Sequence, residues 1–137
     1  MLMGKCGFEE LQHTADWALK VWAPDKAELF RQAALGMNVL MGLKLANEHA
    51  RRVEISLSAE DTESLLVAFL SEILFHLEIE RIGFEDFSVK LNRNRLNAEL
   101  WGKPIRSIEK PIKAVTFHNL VVKRGEDGLE AQLVFDV

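Results

Sequence analysis

Asp136 and Val137 stand last in the sequence, and a β-strand stopping there sets a side-chain carboxylate one residue from a terminal α-carboxylate. Near the other end, His13-Thr14-Ala15-Asp16 supplies a further aspartate. If a neighbouring strand brings Asp16 to the same edge, three hard, anionic oxygen groups converge. Such a cluster repels itself unless a cation sits in it, and Ca²⁺ or Mg²⁺ is the matching ion. A free α-carboxyl titrates at about pH 3.3–3.7, so it is ionised at neutral pH and adds a ligand without a side chain. Taken singly, the residues also have blander readings: Asp16 as a turn or capping aspartate, Asp136 as an exposed residue at a strand end.

Other groups invite chemistry with less support. His13 and His118 have no second histidine or cysteine at metal-ligand spacing, while His49 and His76 read as surface residues of a helix or loop. His118 also reads as a strand residue whose ring bonds a neighbour. Lys113 fits a phosphate or an acidic partner, or equally a solvated lysine at a strand edge. No nucleophile is paired with a base, and the eight glycines form no P-loop or dinucleotide fingerprint. Trp17, Trp22 and Trp101 suit core or strand packing better than a base-stacking platform.

His13-Thr14-Ala15-Asp16, the later run Lys113-Ala114-Val115-Thr116-Phe117-His118-Asn119-Leu120 and the closing carboxylate strand together resemble the archease family. The resemblance extends through the acidic helix opening Glu60-Asp61-Thr62-Glu63 and covers nearly the whole chain. It implies a metal site on Asp16, Asp136 and the Val137 carboxylate, with His13, Lys113 and His118 lining the functional face. It also implies a non-catalytic accessory protein. Archeases activate the GTP-dependent RNA-splicing ligase of tRNA splicing and RNA repair, promoting its guanylylation and its repeated turnover. Such a factor meets RNA only through the ligase. Two departures from the family pattern stand beside Asp16. Gln12 occupies a position that is often acidic, and Trp17-Ala18 replaces a small aliphatic residue and glycine.

Two helices and several strands must position these groups. Asp25, three residues before Glu28, predicts an N-cap with a capping box, and Phe30, Ala33, Ala34, Met37 and Met41 mark the apolar face up to Gly42. A second helix is predicted from Asp61 to about Leu77, with Leu65, Leu66, Phe69, Leu70, Ile73, Leu74 and Leu77 inward and Glu63 and Glu72 on the other side. Alternation predicts strands around Trp17–Trp22 and Val53–Leu57, and a hairpin of Phe87–Leu91 with Leu96–Leu100 about Asn92-Arg93-Asn94. A last pair is predicted from Ile112 to Lys123 and from Leu129 to Val137, with Phe135 inward and Asp136 outward. Gly102 to Pro111 reads as the longest irregular stretch and a mobile loop. The order predicts an α+β two-layer sandwich, a mostly antiparallel β-sheet with two helices on one face.

Composition sets the outer bounds. The 137 residues suit one domain, 1–137, able to bury roughly two-thirds of its unfolded surface. A formal charge of −4 argues against an autonomous nucleic-acid binder. The lone Cys6 rules out an internal disulfide and reads as a buried or tolerated thiol. No membrane-length apolar run or signal peptide is visible, so a cytoplasmic protein is expected. Two other classes stay open: a small metal-dependent phosphoester hydrolase, and a chaperone-like binding module without metal.

Overall fold

The computed structural model describes residues 5–12, 17–126 and 128–137, and of Gln12 the backbone alone. The expected α+β class is the one observed. Among the described residues the order is β1 (Gly7–Gln12), β2 (Trp17–Ala23), α1 (Lys26–Met41), β3 (Lys44–Leu45), β4 (Arg51–Ser58) and α2 (Thr62–Phe75). A π-helical turn (His76–Glu80) follows, then β5 (Ile82–Asn92), β6 (Arg95–Ser107), β7 (Ala114–Thr116), β8 (Lys123–Gly125) and β9 (Gly128–Asp136).

The antiparallel pairing divides between two sheets. In the first, β9 is central, with β2 and then β1 on one side, and β7 and β8 in succession on the other. In the second, β6 is central between β4 and β5, and β3 pairs with its far end at Ile105 and Ser107. Each helix packs against strands of both sheets, α1 on β1, β2 and β5, and α2 on β4 and β7. The core therefore lies along the helices. Phe69 of α2 sits between Phe30 and Phe87, with ring centroids 5.9 and 6.4 Å away.

Local chemistry accounts for the helix limits. Asp25 accepts the Glu28 amide at 2.9 Å, as its spacing predicts. The reciprocal half of the capping box gives way to side-chain bonds, because the Glu28 carboxylate takes Arg31 at 3.2 Å and Gln32 at 3.0 Å. Gly42 ends α1 in the left-handed region at φ 62°, and the Leu43 amide then reaches the Asn38 carbonyl at 3.1 Å. Asp61 caps α2 through the Ser64 amide at 2.7 Å, which holds its carboxyl below the usual range. The α-helical hydrogen bonding of α2 stops at Phe75, two residues short of the expected end, and the chain continues as the π-helical turn to Arg81, at φ 59°.

Two expectations fail. Residues 102–107 are not a mobile loop but the end of β6. Pro104 fits there because its carbonyl, rather than an amide, does the bonding, accepting the Ala46 N–H at 2.8 Å. Between β6 and β7, irregular backbone is confined to the stretch from Ile108 to Lys113. Nor is 112–123 a single strand. Seven residue steps separate Thr116 from Lys123, but only four separate their partners Val134 and Glu130 on β9, so three extra residues leave the ladder.

Candidate functional site

β9 brings the carboxylate end of the chain to the middle of the first sheet. Leu133 and Phe135 are buried on its inner face, whereas Asp136 points away and is exposed, as the alternation predicts. On one flank Trp17 pairs with Phe135. The residue after Phe135 is Asp136, and the residue before Trp17 is Asp16. On the other flank Ala114 pairs with Asp136, and the Lys113 amide donates to the Asp136 carbonyl at 2.7 Å. Lys113 is thus fixed by its backbone at the level of Asp136, with its side chain exposed.

Asp16 and His13 lie outside the described residues. Their neighbour Trp17 is half-buried and doubly held. Its indole N–H donates to Glu10 at 3.1 Å, and the Lys110 ammonium lies 4.6 Å from the ring centroid. The departure from the family pattern at this position therefore supports a packed, polar-anchored ring.

The donor chemistry fits a hard divalent cation in part. Asp136 is exposed and offers a hard oxygen donor, Val137 beside it is exposed too, and no cation pairs with Asp136 among the described residues. One described side-chain carboxylate is fewer than the three ligands that the resemblance implies. Among the described residues, no three His, Cys, Asp or Glu side chains come together as a metal cluster.

His118 sits on the turn where the strand pair breaks. Thr116 Oγ1 donates to the Val134 carbonyl at 3.0 Å and accepts the His118 amide at 3.2 Å. The next residue, Asn119, is left-handed at φ 52°, its side-chain nitrogen is 3.2 Å from His118 Nε2, and the Leu120 amide closes the turn on the Phe117 carbonyl at 3.1 Å. Asparagine tolerates that conformation better than other side chains. Leu120 is buried, which leaves Phe117 and Val121 outside, 59% and 57% exposed.

Glu63 is the residue that sequence reasoning missed. It was expected to face away from the core of α2. Instead its carboxylate accepts the Val122 amide at 2.8 Å, tying the bulged loop to the helix across 59 residues. Only the acidic first turn hinted at it. The reading of His76 as a surface residue also fails, since its side chain is 12% exposed, wedged edge-on to Phe84 and Phe75 and flanked by Glu72 and Glu80. Cys6 is half-buried. Burial first, then the Glu28 carboxylate, pushes its thiol above the usual range.

The model of the Archease protein family matches residues 8–137. The chain belongs to the archease family. It is 36% identical to the archease of Methanosarcina barkeri over 95% of both chains, and 31% identical to that of Pyrococcus abyssi over 95% of this chain and 98% of the other. The fold is similar to the crystal structure of an archease, described as a possible chaperone, from Thermotoga maritima. That comparison has a TM-score of 0.70 and 25% identity, over 94% of this chain and 96% of the other. A solution structure of a Methanobacterium thermoautotrophicum protein matches at TM-score 0.70 and 32% identity, over 96% and 99%. Among the described residues, no helix of this archease is long and apolar enough to cross a membrane.

Proposed function

We propose that this archease is a non-catalytic activator of the GTP-dependent RNA-splicing ligase, working in the cytoplasm through the carboxylate edge of its first sheet. The observation that carries the reading, beyond family membership, is the register of β9. Trp17, which follows the first motif, faces Phe135, and Ala114 of the second faces Asp136, so β2 and β7 flank the end of β9. Asp16, Asp136 and the Val137 α-carboxylate would hold a divalent ion there, Ca²⁺ or Mg²⁺. When bound, the ion supplies positive charge and open coordination positions for anionic groups of the partner.

The chain's own residues have separate tasks. Lys113 keeps β7 in register with Asp136 through its backbone and leaves its side chain exposed. Thr116, His118 and Asn119 shape the turn that carries Phe117 outward. Glu63 fixes that turn to α2. The net charge of −4 favours rapid, salt-sensitive encounter with a basic, RNA-binding enzyme.

The test is RNA joined per molecule of ligase, with and without this protein. The reading expects the ligase to turn over repeatedly only in its presence. Extension of the C-terminus by a few residues should weaken Ca²⁺ and Mg²⁺ binding, measured by calorimetry, and unchanged binding would remove Val137 from the ligand set. Hydrolysis of a generic phosphodiester by the purified protein alone would favour a hydrolase. The exposure of Phe117 and Val121 gives a chaperone-like module some footing. That reading requires suppression of aggregation in the absence of metal.

A further inference from the structure

A groove of about 450 Å³ opens where the π-helical turn, the end of β6 and the irregular stretch before β7 meet. Its floor is aliphatic, formed by the buried Met41, Leu74, Leu77 and Ile112. Its rim is charged, with Arg81, Arg106 and Lys113 against one acid, Glu78, among the described residues. All four rim residues are exposed. In a protein of net charge −4 that local excess of cations stands out. Elsewhere Arg51, Arg52 and Lys103 meet carboxylates, whereas none pairs with Arg81, Arg106 or Lys113 among the described residues.

The rim is anchored by backbone rather than by ion pairs. Arg81 closes the π-helical turn in the left-handed region, and its carbonyl accepts the Ile105 amide at 3.1 Å. The opposite lip is Lys113, whose amide is bonded to the Asp136 carbonyl. Groove and carboxylate edge therefore adjoin through one residue. Among the described residues no aromatic ring lines the groove, so these offer a nucleobase nothing to stack on. Aliphatic floor and cationic rim together suit an aliphatic side chain flanked by carboxylates.

We infer that this groove docks an acidic segment of the partner protein, with a leucine-like anchor on the aliphatic floor and carboxylates on Arg81, Arg106 and Lys113. The identity of that partner rests on the activator reading. The groove's ligand chemistry does not.

The probe is a fluorescein-labelled peptide alternating Asp or Glu with Leu, titrated by anisotropy into the full chain at low salt. Saturable binding is expected. It should weaken roughly tenfold or more when the leucines become serines, because the apolar anchor no longer leaves water. Arg106→Glu and Lys113→Glu, both at exposed positions and checked for folding by circular dichroism, should each weaken it about tenfold. Equal affinity for the serine peptide, or unchanged affinity in both variants, overturns the proposal. Displacement of the peptide by octanoate or by GMP at micromolar concentration also overturns it, making the groove a small-anion site. With the ligase present, Arg106→Glu should raise the amount of protein needed for half-maximal guanylylation. If it does not, while wild type activates, the groove fails and the activator reading stands. Peptide binding without ligase activation has the opposite meaning.

Discussion

The helical core and the β7–β8 edge obey the same physical rules but follow different patterns. In α2 every apolar position of the stripe is buried, and the cap lies where the aspartate stands. Along residues 112–123 the sequence is just as rich in strand formers, yet the ladder breaks and Phe117 and Val121 face outward. In the core, burial of one face fixes the register. At the edge, one side of the strand has no partner strand, so a local turn can win. Three short-range contacts hold that turn, between His118 and Thr116, Asn119 and His118, and Leu120 and Phe117. Apolar residues left out of a core in this way are available to a partner.

Paired substitutions would test this contrast most strongly. Phe69→Ala should cost about 3–5 kcal/mol in chemical denaturation, because two aromatic neighbours close over the site. Phe117→Ser should stay within about 0.5 kcal/mol, although the residue lost is the same. Comparable losses would mean that the edge is packed after all. Glu63→Ala comes next, at about 1–3 kcal/mol, since it leaves the part-buried Val122 amide unpaired. Its particular signature is faster hydrogen exchange at Val122, with the α2 amides unaffected. If exchange rises throughout α2, the tie belongs to the core rather than to the loop.

The smallest effect is one of pH. The Asp61 carboxyl is lowered in the folded state by the Ser64 amide, so its cap is fully present above the unfolded carboxyl pKa of about 3.9. It is lost as pH falls through the lower folded value. Asp61→Asn keeps a cap but does not titrate, so thermal unfolding of the variant should depend less on pH below about 4. An identical acid limb in both proteins would assign that limb to other groups.

What the sequence makes legible follows the same division. The Asp25 cap, the opening of α2 near Asp61, the apolar helix faces, the hairpin about Arg93 and the outward Asp136 are visible because each depends on residues close in sequence or on a strict period. Glu63 bonding Val122, His76 wedged against Phe84 and the pairing of β6 with β3 depend on chain segments far apart, which no local pattern encodes. Pro104 misled because proline is a loop signal unless its carbonyl has a use, and Ala46 supplies one. At the candidate site, the spacing of aspartate and carboxylate was legible. The bond from the Lys113 amide to the Asp136 carbonyl depends on the register of β7 with β9, which no local pattern encodes.

The central claim is that the carboxylate edge activates the ligase. A guanylylation time course of the ligase with GTP and metal tests it most directly, comparing no addition, this archease, and an Asp16→Ala, Asp136→Ala double variant. The account predicts acceleration by wild type and none by the folded variant. Equal acceleration by both would contradict it, leaving the family intact and placing the activating surface elsewhere.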